Sequence, residues 1–421
     1  MLNFFSQENL RTDGKRRIIL ESLEYAFRKN DPSDLVFNYL SDHGVSSQGR
    51  VFVIGFGKAA LEMYSGALRY FDSSIHYGGI IIPADTEIKM IPPGVEILKG
   101  EHPLPGSQTL ESSRRLIGNF GELEKDDLVL VLISGGGSSL FEILDERISL
   151  DEYRKTIECL MENGINIGEL NSIRYIYSKV KGGRLVKFLR PARIIGLDIS
   201  DVPGDSIETI ASGPLSSPPP SSLIDGTVRK FSTKCNIKIL KNEETGGFDE
   251  GVENHIILRN QDFVDQIENF LSSRGYRVIN IGSGITGSVE EISGKLYNRL
   301  ISEKDRGGPA FLVGGGESTA IVRGNGKGGR NLELCLRFLL RANESDNFVF
   351  SSIGSDGIDG NSGAMGGIVD ALTLRKLTKK TILEYLEISE SLSPLLMTGD
   401  AIITGRTGNN VSDLFIGYIE K

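Results

Sequence analysis

The sequence predicts an α/β fold in two domains, each with its own sheet, and three observations carry the prediction. Short runs rich in Val, Ile and Leu, each ended by Gly, Pro or Ser, alternate with segments of helical period. At 421 residues the chain exceeds one ordinary hydrophobic core. Its 51 glycines exceed the usual share of about 7%. They gather in clusters (GFGKAA, SGGGSS, KGGR, GGGES, GNGKGGR, GSDGIDG), most of them directly after a predicted strand. Alternation of this kind means a mostly parallel sheet covered by helices, whose ligands bind at the carboxyl ends of the strands. The glycine clusters are therefore expected to face one shared cleft.

In chain order, the segment to about Asn30 reads as a helix, with Ile18, Ile19, Leu23, Ala26 and Phe27 near helical spacing. Strands are predicted at 51–54, 79–82, 128–133 and 193–197, with helices at 109–120 and 151–163 among them. SGPLSSPPPSSLIDG, residues 212–226, reads as a linker or surface loop, because its prolines and serines build no core element. Strands resume at 277–281, 311–313, 348–353, 401–404 and 414–419. The predicted domains are 1–235 and 236–421.

Bulk composition excludes several functions. A net charge of −9 is wrong for wrapping a phosphate backbone, so no nucleic-acid partner is expected. No apolar run approaches the ~18 residues of a membrane span, and MLNFFSQENLRTDGKRR has no apolar core of a signal peptide. Cys159, Cys235 and Cys335 are far apart without CxxC spacing, and are expected to be reduced core residues of a cytoplasmic protein.

The chemistry concentrates in the glycine turns. VFVIGFGKAA (51–60) fits the G-x-G-x-x-[G/A] dinucleotide fingerprint through Gly55, Gly57 and Ala60. Asp85 lies past the next predicted strand. Yet Lys58 puts a cation in the turn, which suits a phosphate or carboxylate. In ISGGGSSL, Gly135, Gly136 and Gly137 remove every Cβ, so backbone N–H groups can wrap an oxyanion, with Ser134 and Ser138 adding hydroxyls. A tight turn with no ligand is the competing reading. LDISDVPGDSIETIASGP places Asp198, Asp201 and Asp205 after a strand, where carboxylates hold Mg²⁺ or accept a hydroxyl proton, or simply cap a helix. In NSIRYIYSKVKGGRL, helical spacing would bring Arg174 and Lys181 to one cationic face. FLVGGGESTAIVRGNGKGGRNLEL sets Lys327 and Arg330 among glycines, with Gly315, Gly316, Glu317 and Asn331 beside them. Asp356 and Asp359 follow another strand as further metal candidates, and His102 is the one histidine in a suggestive loop. These features describe an enzyme for small anionic molecules with a divalent cation, the setting of phosphoryl transfer.

GFGKAA, HPLPGSQTLESSRRL, ISGGGSSL, KGGRL, SDVPGDSIETIASGP, GGGEST, KGGRNLEL, GSDGIDG and TGRTGNNVSDL occur in the order found in type II glycerate kinases. The chain resembles the glycerate 2-kinase family with a C-terminal MOFRL domain, from about residue 15 to 415. The resemblance implies a Rossmann-like N-terminal domain with a mostly parallel sheet and a smaller α/β MOFRL-type C-terminal domain. It also implies transfer of the γ-phosphoryl of ATP, with Mg²⁺, to the 2-hydroxyl of D-glycerate at an interdomain cleft. Lys58, Arg330 and Asp201 are then the catalytic candidates. Ser134, Gly135, Gly136, Gly137, Ser138 and Lys181 would bind substrate or phosphate. Gly315, Gly316, Glu317, Lys327 and Asn331 would bind nucleotide, and Asp201 and Asp356 the metal. A homodimer, with glycerate and ATP as the small-molecule partners, completes the expectation. The sequence departs from the family at GSGITGSVE, where Ser283 and Thr286 replace acids, at Arg406 and after GSDGIDG. An NAD(P)H-dependent hydroxypyruvate reductase and a non-catalytic sugar-acid or nucleotide sensor are the alternatives.

Overall fold

A computed structural model describes residues 10–88, 90–240, 251–306 and 308–421. The chain divides into two units, Pro32–Leu258 and Met1–Asp31 with Arg259–Lys421.

Six strands form the sheet of Pro32–Leu258: β1 (Val51–Phe56), β2 (Ile75–Pro83), β3 (Val95–Gly100), β4 (Leu128–Ile133), β5 (Arg193–Ile199) and β6 (Val252–Leu258). Their order is β3-β2-β1-β4-β5-β6 and every pairing is parallel. This is the doubly wound dinucleotide-fold order, which reverses between β1 and β4. VFVIGF of β1 and LVLVLI of β4 are buried throughout, as central parallel strands covered on both faces must be. Phe52, Ile54, Val129, Val131 and Ile194 enter the core beneath the crossover. A second apolar cluster joins the helices Leu150–Glu162 and Ile167–Tyr177 to Phe231 and Leu240.

The other unit contains β7 (Arg277–Asn280), β8 (Ile285–Ser288), β9 (Ala310–Thr319), β10 (Asn347–Gly354), β11 (Gly366–Asp370), β12 (Ala401–Ile402) and β13 (Asp413–Glu420). The sheet order is β12-β11-β10-β13-β9-β7, with β8 also on β9. It is mixed: β7 and β8 run parallel to β9, whereas β13 pairs antiparallel with both β9 and β10. Its core includes Leu312, Leu336, Phe338 and Phe350, the last two stacked at 4.1 Å.

The division differs from the predicted 235/236 junction at both ends. The strand β6 extends the parallel sheet beside β5, which carries the first unit to Leu258. The helix Gly14–Lys29 belongs to the second unit, where Phe27 meets Phe263 edge-on and Arg16 donates to Asp370. The first nine residues of the predicted N-terminal helix lie outside the described residues. SGPLSSPPPSSLIDG is neither a linker nor wholly a surface loop: Ser212, Leu215 and Ser216 are buried, and a helix begins at Ser221. Cys159 and Cys235, expected to be reduced, form a disulfide across 76 residues, because the second apolar cluster brings their segments together. Cys335 is a buried free thiol, as expected. No helix among the described residues is long and apolar enough to cross a membrane.

Candidate functional site

The turns after β1 and β4 meet where the strand order reverses. Lys58 N donates to Gly135 O at 3.0 Å, Ala59 N to Ser134 Oγ at 3.0 Å, and Ser134 N to Phe56 O at 3.2 Å. Gly57 has φ +131°, and a Cβ there would lie 2.2 Å from Ser134 Oγ. The two glycine motifs are thus one structure. The buried Ser134 hydroxyl is a staple within it, accepting a backbone N–H rather than presenting itself to a ligand.

Among the described residues, the N–H groups of Gly135, Gly136 and Ser138 donate to no protein acceptor. Gly136 has φ +82° and lies against the His102 imidazole, whose Cδ2 would be 3.2 Å from an added Cβ. Gly135 is buried, Gly136 and Ser138 are half-buried, and amide groups left over in one such turn make an anion-binding concavity. Lys58, half-buried, projects from the adjoining turn.

Facing the SGGGSS turn, Ala211 (φ +49°), Ser212 (φ +64°) and Gly213 (φ +62°) are three consecutive left-handed residues. Two of them carry a Cβ, a strained arrangement found mostly where surrounding contacts over-determine the backbone. Those contacts are visible. Ser138 Oγ and Ser212 Oγ are 2.9 Å apart, Ser212 Oγ donates to Asn171 Oδ1 at 2.9 Å, and Arg174 Nη1 donates to the same oxygen at 3.1 Å. The predicted cationic face does not form. The helix ends at Tyr177, Arg174 points into this network, and Lys181 is fully buried. Lys181 Nζ donates to the carbonyls of Gly137, Phe141 and Ala211 at 3.3, 2.6 and 3.2 Å.

The aspartates after β5 separate in character. Burial pushes the Asp198 carboxyl up to about 8, against a hydrogen bond from Asn254, so it is largely neutral near pH 7. Asp201 and Asp205 are half-buried on the following loop, with Asp205 at φ +51°. Among the described residues no group of three or more His, Cys, Asp or Glu side chains is arranged to hold a metal ion.

In the second unit, the helix Arg330–Arg341 starts beside the ends of β9 and β13. Arg330 Nε donates to both oxygens of the fully buried Asp413, at 3.0 and 2.9 Å, and Nη1 to Glu317 Oε1 at 3.1 Å. Burial works against the guanidinium charge, but Asp413 and then Glu317 outweigh it and hold Arg330 above its ordinary range. The side chain stays 34% exposed. Asp413 also accepts from Ser318 N, Ser318 Oγ and Asn331 Nδ2. Asp359 caps the same helix through Asn331 N and Leu332 N. Burial, with repulsion from Asp413, pushes Asp359 up to about 7 against those amides and Arg330.

The predicted nucleotide residues are dispersed by role. Gly315 and Gly316 do not form a loop: β9 runs on to Thr319. A Cβ at these positions would lie 1.8 Å from Asn260 Oδ1 and 1.9 Å from Ile285 O, so Gly315 makes room for a side chain at the start of the helix Asn260–Ser273 and Gly316 for the close approach of β8. Glu317 holds Arg330, and Asn331 bridges Asp413 and Asp359 while accepting from Ser352 Oγ. Lys327 is exposed, with its backbone pinned to Glu390, Ser391 and Leu392. The Asp356 carboxylate accepts from Ile358 N in a local turn. Sequence reasoning missed Asn171, Ser212, Glu142 and Asp413. Only Asp413 carried a signal, as an acid at the start of the last strand in the quoted TGRTGNNVSDL.

The fold and the turns define a class: two-unit α/β proteins with a Cβ-free glycine turn at the crossover of a doubly wound sheet. Residues 18–239 match a domain of unknown function, DUF4147, and residues 310–413 match the MOFRL family. The glycerate 2-kinase of Picrophilus torridus is 39% identical, covering 96% of this chain and 97% of its own. The D-glycerate 2-kinase of Thermotoga maritima is 35% identical, over 88% of this chain and 91% of its own. A crystal structure of glycerate kinase from Thermotoga maritima superposes with a TM-score of 0.83 at 31% identity, covering 96% of this chain and 99% of that one. The chain belongs to the glycerate 2-kinase family with a C-terminal MOFRL domain.

Proposed function

We propose that the protein transfers the γ-phosphoryl of ATP to the 2-hydroxyl of D-glycerate, giving 2-phosphoglycerate and ADP. The observation that carries the reading is the set of turn amides at Gly135, Gly136 and Ser138, in the turn that the Lys58 backbone N–H joins at Gly135 O. The relatives' activities are the independent support. A nicotinamide enzyme has no use for Lys58 beside this cradle, whereas phosphoryl transfer consists largely of holding and neutralising phosphate oxygens.

In this reading the turn amides hold oxygens of the phosphate or of the glycerate carboxylate, and Lys58 neutralises their charge. Within its own unit, Arg330 is a guanidinium oriented by Asp413 and Glu317 for contact with an anion. Asp201 accepts the proton of the attacking hydroxyl or serves as a metal ligand. Mg²⁺ takes one or two carboxylates together with substrate phosphates and waters, so a single carboxylate, Asp201 in one unit or Asp356 in the other, suffices as its protein ligand without a cage of acids. When bound, the ion supplies charge neutralisation for the nucleotide phosphates.

The test is ³¹P NMR of the product from ATP, Mg²⁺ and D-glycerate. The resonance of 2-phosphoglycerate is expected. A 3-phosphoglycerate signal overturns the regiochemistry, and no phosphorylated acid overturns the reading. NADH oxidation with hydroxypyruvate would establish the reductase instead.

A further inference from the structure

Lys181 cannot reach a ligand: it is fully buried, and its three donors are spent on the carbonyls of Gly137, Phe141 and Ala211. Those carbonyls belong to the anion-holding turn, to the residue just after it and to the strained segment opposite. In a trans peptide the C=O of one residue and the N–H of the next point in opposite directions. The Gly137 carbonyl accepts from Phe141 N at 3.2 Å and from Lys181 Nζ at 3.3 Å, and held there it turns the Ser138 N–H the opposite way, toward the cradle. The same rule holds at the second contact: with Phe141 O on Lys181, the Glu142 N–H turns the other way and donates to Ser113 Oγ at 2.9 Å.

We propose that Lys181, with the buried Glu142 as its counter-charge, is a positioning residue that aims the amides of the SGGGSS turn at the bound anion. The proposal rests on the reading that this turn holds a phosphate or carboxylate. Three carbonyl acceptors require three N–H donors, which only the ammonium has. Glu142 accepts from Ser178 Oγ on one oxygen and from Tyr153 OH, at 3.5 Å, on the other. Burial pushes the Glu142 carboxyl above its ordinary range, with Lys181 and the Ser178 hydroxyl opposing that rise. Burial also holds Lys181 well below the usual lysine range, Glu142 opposing that drop and Arg174 adding to it. Glu142, Arg174 and, through Glu142, Tyr153 are the ionisable groups facing it. Loss of the Lys181 proton removes one donor and releases a carbonyl, so the turn loses its aim as pH rises.

Glu142→Gln tests this without touching the cradle. Glutamine still accepts from Ser178, but Lys181 loses the charge that sustains its proton. The alkaline limb of kcat/KM should move about one pH unit toward acid, and an unmoved limb overturns the proposal. Lys181→Met/Glu142→Met removes both charges together, a replacement that buried pairs commonly survive. It should fold and lose about 100-fold in kcat, with Lys181→Arg recovering part of that loss. A folded double variant with wild-type kcat overturns the proposal. If the double variant does not fold, Glu142→Gln decides alone. The amide resonances of Gly136 and Ser138, followed against pH without substrate, report the same event. They should titrate together and shift in Glu142→Gln, and flat resonances overturn the proposal. If wild-type protein phosphorylates no glycerate while these resonances titrate, the kinase reading fails and the positioning role stands.

Discussion

Gly57 has no room for a side chain because Ser134 stands against it: a Cβ would lie 2.2 Å from Ser134 Oγ and 2.5 Å from Ser134 O. The second contact is backbone, so shortening Ser134 cannot relieve it. Gly57→Ala should lower kcat/KM at least about 100-fold by prising the two turns apart. Ser134→Gly in the same chain should not restore it. Steady-state kinetics on both variants, with circular dichroism as the folding control, checks this.

Lys58 contributes charge more than structure, since its backbone N–H already makes the turn contact with Gly135. Lys58→Ala should therefore lower kcat by about 10²–10³-fold, on the scale of losing one electrostatic stabiliser, and leave the melting temperature within a few degrees of wild type. Near-normal turnover would remove Lys58 from the mechanism.

Asp413 is the buried anchor of Arg330, and it also satisfies Ser318 and Asn331. Asp413→Asn leaves the guanidinium facing an amide and weakens a charge-assisted pair that is buried only on the Asp413 side, which costs about 1.5–3 kcal/mol. Urea unfolding should show that loss as a lower midpoint at unchanged slope. A midpoint equal to wild type would mean Glu317 alone holds Arg330.

Asp198 makes stability depend on pH in the direction opposite to a salt-bridged acid. Its folded carboxyl titrates at about 8, far above its ordinary value near 3.8, so between those pH values the native state binds the extra proton. Stability from this residue is whole below about pH 4 and declines as pH rises toward 8. Asp198→Asn removes the decline. The variant should be more stable than wild type at pH 8.5, with the advantage shrinking toward pH 5, and melting curves across that range read it directly.

Legibility followed burial. LVLVLI was predicted to the residue because a strand covered on both faces has a continuous apolar signature. Edge strand β6 (VENHIIL) mixes polar residues into its length, and β11 (GGIVD) opens on two glycines, so neither stood out. The proline-serine stretch misled because composition marks an irregular backbone and says nothing of depth: Leu215 lies within it, fully buried. At the site, the glycine turns were readable because a missing Cβ is itself a local fact. The direction of Lys181 was not, since its acceptors are backbone carbonyls 30 to 44 positions away. Asp413 shows in the sequence only as an acid opening the last strand, and its hold on Arg330, across 83 positions, leaves no local trace.

The pairing of Arg16 with Asp370, 354 positions on, has an effect on the order of assembly. During synthesis the helix Gly14–Lys29 emerges long before Asp370 and Asp400, which receive its charge. The Pro32–Leu258 unit has every internal neighbour in hand before those acids and can fold as the chain grows. The helix, basic and half-apolar, must wait out those 354 positions before its partners arrive to claim it.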